Sequence, residues 1–377
     1  MDGVGGGTFE VDDAETLTLT GAIAGLGNLA KTGTGTLVLG GANSYGGATE
    51  VTAGTLVATG GSAIGDTSAV GVAAGARFVV QAAETVGSIS GAGGIDLGAS
   101  LTTGGNNASS AFAGAITGTG GLTKTGTGTL TLSGASSYSG PTAVNGGTLK
   151  VDGSLAGDVY VYDQATLSGG GIIAQTVHVL DGGTLAGTQA SGLTMGGLDL
   201  SSGAALAVSL GAVSPSAVFN VNGNVTLDGT LNVTSAAGFG LGIYRVVSYT
   251  GALTDNGLEV GAMPLGYAGS VQTAVAGQVN LVVDDPTSPI LFWNGPHTSP
   301  TQAVEGGTGT WTAGPQTNWT NASGTLSKAW NSGFAVFQGQ AGTVSVNNGE
   351  GQVTALGMQF VDTGYVVNGG DILLSGV

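Results

Sequence analysis

The chain has 377 residues, of which 76 are glycine, and it carries 23 acidic side chains against six basic ones for a formal charge of −17. Six cations cannot neutralise a phosphate backbone, which excludes nucleic acid and makes anionic membrane surfaces poor partners. The lack of cysteine rules out disulfides and thiolate metal sites, and glycine and threonine interrupt every apolar run before the ~18 residues of a membrane helix.

Glycine at this density, with 41% apolar residues, describes many tight turns joined by short segments that still have a face to bury. Met1–Gly5 has neither the basic start nor the apolar stretch of a secretory leader and reads as a fragment boundary. Ala14–Gly25 is the first segment with strand character, and a repeat then dominates. Residues 21–60, GAIAGLGNLAKTGTGTLVLGGANSYGGATEVTAGTLVATG, align without gaps on residues 114–153, GAITGTGGLTKTGTGTLTLSGASSYSGPTAVNGGTLKVDG, with 25 of 40 positions identical. Leu37 and Leu39, and likewise Leu130 and Leu132, alternate with threonine, valine or small residues, a period of two that turns one face inward. Val51 and Leu56, matched by Val144 and Leu149, form a second inward row. Gly33, Gly35, Gly47 and Gly54 stand where the chain must bend or pack closely.

Between the copies, Glu84–Gly98 reads as another coil. No stretch has helical periodicity with caps, so regular structure is expected to be strand throughout. Strands this short cannot bury a face alone. Coiling them so that each turn stacks on the next buries the leucine and valine columns and pairs the backbone between coils. The expected fold is therefore all-β, a single-stranded parallel β-helix with little or no helix, at ~20–25 residues per coil and ~15–19 coils. Its hand is expected to be right, from the twist bias of parallel crossovers.

Lys31, Gly33 to Leu39, Ser44-Tyr45 and Gly54 to Leu56 recur as Lys124, Gly126 to Leu132, Ser137-Tyr138 and Gly147 to Leu149. This pattern resembles the autotransporter-associated β-strand repeat, the passenger-associated transport repeat of bacterial passenger domains. Gly182–Ala186 resembles a further passenger motif that usually continues Pro-Gly, where this chain has Gly187-Thr188-Gln189. Phe292-Trp293-Asn294-Gly295 and the following GGTGTW and NWT runs also fit that type. The resemblance implies residues 1–153 as β-helix with two clear repeats, 154–285 as its continuation and 286–377 as an aromatic-rich segment, with a junction at Asp285–Pro289. It implies a secreted, cell-surface shaft with a structural or adhesive role. The final Asp371–Val377 reads as a cut strand, and no long amphipathic strands close the chain, so the barrel that would hold such a passenger in the outer membrane is expected outside this sequence.

For sites, the four tryptophans Trp293, Trp311, Trp319 and Trp330 all lie in the last quarter, as candidates for ligand stacking in a carbohydrate-binding module centred on residues 291–377 or as core fillers for wider coils. Threonine runs at Thr16–Thr20, Thr32–Thr36 and Thr125–Thr129 would set hydroxyls in outward rows. Asp12-Asp13 and Asp284-Asp285 fall outside calcium β-roll patterns, and His178 and His297 sit in unrelated contexts. No Gly-x-Ser-x-Gly elbow is present, and polysaccharide lyase or hydrolase chemistry would need carboxylates joined to cations that are scarce here. The expectation is no enzyme, no cofactor and no metal. Expected partners are a host or matrix glycan or protein, or further copies stacking through unpaired helix ends. Lys31 and Lys124, at equivalent repeat positions, suit a structural role.

Overall fold

The computed structural model describes residues 6–285 and 290–375. The strand expectations hold: the only helical element among the described residues is a 3₁₀ turn, Asn348–Glu350. The chain coils as a parallel β-solenoid of about 17 turns. Contacts divide it into two compact units. The first comprises Met1–Leu206, Val221–Gly229 and Ala252–Thr254, and the second Ala207–Asn220, Thr230–Gly251 and Asp255–Val377. Pro286–Pro289, where the sequence suggests a junction, lie outside the described residues, as do Met1–Gly5 and Gly376–Val377.

In the first unit most strands are short and pair in parallel with the strand one coil later, 17 to 22 residues on as far as Leu185. The coils are tighter than expected because glycine corners spend few residues between faces. Side chains of one position stack in columns. Leu17, Leu37, Leu56, Phe78, Ile95 and Ile116 form one apolar column. Leu130, Leu149, Leu167 and Leu185 form another. From Leu37 and Leu130 onward these side chains are essentially inaccessible, and each contributes about 1.5–3 kcal/mol through burial.

The corners decide where glycine is obligatory. Gly33 and Gly126, which follow the repeat lysine by two residues, have φ of +71° and +68°. A β-carbon there would lie 2.3 Å from the carbonyl oxygen of Val11 and 2.0 Å from that of Gly104 respectively. Both the left-handed backbone and the closeness of the previous coil exclude a side chain.

The second unit departs from a purely parallel helix. Gly242–Tyr249 and Ala268–Gln272 both pair antiparallel with Gln278–Asp284. Parallel stacking resumes as Ile290–Trp293, Phe334–Phe337 and Gly357–Phe360 in one sheet and as Gly309–Thr312, Thr343–Asn347 and Val366–Gly369 in another. Its interior is filled by aromatic rings, where that of the first unit is filled by leucine and valine.

Candidate functional site

The most distinctive chemistry of the first unit lies inside the coil. Lys31 and Lys124 occupy inward positions, stacked in register on Val51 and Val144. Both are essentially inaccessible to solvent. The aliphatic stems fill a valine-sized slot and each ammonium turns into the glycine corner. The Lys31 Nζ donates to the carbonyls of Thr32 (2.7 Å), Gly33 (2.7 Å) and Ala53 (3.2 Å). Lys124 repeats the arrangement on Thr125 (2.7 Å), Gly126 (3.2 Å) and Gly146 (3.2 Å). An ammonium has three donors, and all three are used in both copies. Two bonds close the corner locally and the third ties it to the next coil. Among the described residues no carboxylate pairs with either lysine, and burial lowers both pKa values from the usual lysine value.

The Ser-Tyr pair is the second half of the device. Tyr45 and Tyr138 are buried, and their hydroxyls share a hydrogen bond with the Thr49 (2.7 Å) and Thr142 (2.6 Å) hydroxyls four residues on. Burial pushes both phenols up to about 12. In the first copy the chain of hydroxyls extends from Thr49 to Ser68, which donates to the Gly47 carbonyl at 2.8 Å. Buried Asn43 accepts from Ile23 N and donates to the Ala63 carbonyl, bridging three coils. The equivalent Ser136 keeps only a 3.4 Å contact from Ile116 N. Glu84 caps the adjacent bend by accepting from Ala63 N and Ile64 N, both at 3.1 Å. Burial is the main cause that raises its carboxyl to about 7, against the two backbone bonds that lower it and with a smaller contribution from Asp66.

The tryptophans sit inside the second unit. Trp293, Trp311 and Trp319 are wholly buried and Trp330 is 6% exposed. They meet edge to face or tilted, with centroids 5.2 Å apart for Trp293 and Trp319, 5.0 Å for Trp311 and Trp330, and 4.4 Å for Trp319 and Trp330. Trp293 and Trp330 donate to the Gly307 and Thr354 carbonyls. Stacking on a ligand would require these rings to leave the core, because in this conformation they present no coplanar exposed face.

Thr129, Thr148, Thr166 and Thr184 do align in one outward column over four coils. The neighbouring column reads Thr131, Lys150 and Ser168, so a two-rank hydroxyl lattice does not form. His178 stacks on Tyr160 (4.7 Å) and lies 3.2 Å from Asp199, while His297 lies 2.6 Å from Glu305. Asp13 accepts from Thr34, and Asp284 accepts from Ile290 N with its pKa raised by burial. No group of three or more His, Asp or Glu side chains gathers in metal-holding geometry among the described residues. No helix among them is long and apolar enough to cross a membrane.

What the sequence missed is the buried polar interior. Conserving lysine, tyrosine and threonine between two copies is its signal, but only the coil shows that these side chains point inward while Ser44 and Ser137 stay exposed.

The first unit is thus a stack of short parallel coils in which each repeat copy closes one corner with a buried lysine and adds a buried tyrosine–threonine hydroxyl pair, the geometry of a β-solenoid. Residues 29–58 and 122–151 match the passenger-associated transport repeat family, and they contain these lysines and tyrosines. The chain is 43% identical over 192 residues to the BmaC autotransporter adhesin of Brucella suis biovar 1. That match covers 48% of this chain and 6% of the adhesin's length. Two segments of the chain thus carry passenger-associated transport repeats, and about half of it is similar to part of an autotransporter adhesin, which supports an autotransporter passenger.

Proposed function

We propose that this chain is a non-enzymatic, adhesive shaft exposed on the bacterial surface, which holds binding surfaces away from an outer-membrane barrel elsewhere in the parent polypeptide. The observation that carries the reading is the interior of the coils. Polar groups there hydrogen-bond one coil to the next, as suits a rod that bears load along its axis. Similarity to an adhesin supports attachment as the purpose. The sparse and mostly acidic surface suits a body that stays soluble without gathering polyanions.

Retention under flow tests this reading. Cells displaying the chain on a heterologous barrel are compared with cells displaying the barrel alone, on surfaces coated with matrix proteins or glycans. Greater retention by displayed cells is expected, and equal retention on every surface refutes adhesion. Small-angle scattering over a concentration series tests the shaft separately. A particle of constant size supports it, while growth into fibres of one width makes self-assembly the primary role.

A further inference from the structure

The six basic side chains have distinct fates. Lys31 and Lys124 are saturated by carbonyls, Arg77 pairs with Asp96, Lys150 pairs with Asp152, and Lys328 is exposed. Arg245 is different. It is half-buried, has no carboxylate within ion-pair distance among the described residues, and its Nε is buried without a hydrogen-bond partner. Asp362 acts on it only through space and accepts from Gly339 N at 2.8 Å.

Arg245 lines a cavity of about 140 Å³ within the second unit, much larger than the ~10–15 Å³ that one water requires. A register shift between Arg245 and Val247 interrupts the pairing of Gly242–Tyr249 with Gln278–Asp284, and such irregularities re-aim side chains at sites. Asn280, opposite Arg245 across that pair, also lines the cavity. It is 1% exposed, and its Oδ1 has no donor. Its amide nitrogen is occupied by Gln272 and Gln278, so the oxygen is fixed as the free acceptor. Gln359 holds the wall rigid, accepting from Ile243 N (2.7 Å) and donating to Ile243 O (3.0 Å). Val213, Ile243 and Phe360 give apolar lining, and Phe360 is 47% exposed with its ring stacked on Phe337 at 4.7 Å.

We propose that this cavity binds an acidic sugar residue, its carboxylate on the Arg245 guanidinium, a ring hydroxyl donating to Asn280 Oδ1, and its C–H face against Phe360. The pairing of an unmatched cation with an unmatched acceptor selects the ligand class. Phosphate and sulfate offer mainly acceptors and would be repelled by Asn280 Oδ1, whereas a simple carboxylate would leave that oxygen unsatisfied. A hexuronate or sialate unit brings both groups and an apolar ring face. The assignment rests on the adhesive reading for its biological use, but the binding itself does not.

Titration calorimetry on the full 377-residue chain with glucuronate, N-acetylneuraminate, glucose, acetate and inorganic phosphate tests it. At least one acidic sugar is expected to bind about tenfold or more tighter than glucose, acetate and phosphate. Arg245→Gln is expected to weaken that binding by about tenfold or more, through loss of a charge-assisted bidentate contact. Should Arg245→Gln fail to fold, the ligand series on the native chain still decides. Acidic sugars that bind no better than glucose or acetate overturn the proposal, as does a folded Arg245→Gln variant with native affinity. Displayed cells separate the two readings. Arg245→Gln cells retained like native ones on acidic glycans refute the cavity and leave the shaft, whereas purified chain that binds glucuronate while displayed cells fail to adhere supports the cavity and refutes adhesion.

Discussion

Replacing Lys124 by methionine keeps most of the stem that stacks on Val144 and removes the ammonium. The carbonyls of Thr125, Gly126 and Gly146 then lose the donor that the lysine supplies, and no other donor reaches them among the described residues. A buried acceptor left unmet costs about 1–3 kcal/mol. Against that total stands relief of the several kcal/mol spent on desolvating the ammonium. The balance is a loss of about 2–4 kcal/mol, because water that relaxes into the corner offsets part of the rest. Lys31→Met should cost less, since the Thr32 carbonyl also accepts from Val11 N at 3.1 Å. Because a solenoid's stability is the sum of coil and neighbour terms, the effect should be local. Amide hydrogen exchange followed through a urea titration should show lost protection in the strands Leu101–Thr103, Leu122–Lys124 and Thr142–Val144, with distant coils unchanged. A Lys124→Met chain within about 0.5 kcal/mol of native, or a Lys31→Met chain that suffers more, would refute the clamp.

Further predictions concern the acid, the corner and the aromatic interior. Glu84 titrates near 7 in the fold against a reference of 4.5, so folding favours its protonated form. Its contribution is complete below pH 4.5 and is lost as pH rises through 7, by at most about 3 kcal/mol. Glu84→Gln should flatten the stability profile over that window, and an unchanged slope in urea melts at pH 4.5 and 7.5 would count against it. Gly126→Ala places a β-carbon 2.0 Å from the Gly104 carbonyl oxygen at φ +68° and should cost more than about 3 kcal/mol, read as expression loss and lowered melting temperature. Trp319→Ala empties the centre of the ring cluster and should cost about 3–5 kcal/mol, with loss of near-ultraviolet dichroism but retained strand signal.

The alternation of Leu37 with Leu39 and of Leu130 with Leu132 was enough to determine strands, because a period of two is a local property of the backbone. Gly33 and Gly126 likewise announced corners, since only glycine takes that conformation cheaply. A repeated lysine beside such a corner pointed to structure, and the fold shows the reason in the saturated ammonium. Which side of the coil each strand joins was settled by the tertiary structure alone. Leu29–Thr32 and Thr129–Leu132 belong to one column of parallel strands, whereas Leu122–Lys124, the repeat equivalent of the former, lies in another sheet. The copies are offset by 93 residues, which is not a whole number of coils, so identical segments fall on different faces. A local motif specifies strand, corner and inward side chains, but its face depends on every residue counted between the copies. The same holds for the tryptophans, whose burial depends on neighbours such as Phe337 and Val346. It holds also for Arg245 and Asn280, 35 residues apart in sequence, which only antiparallel pairing sets opposite each other.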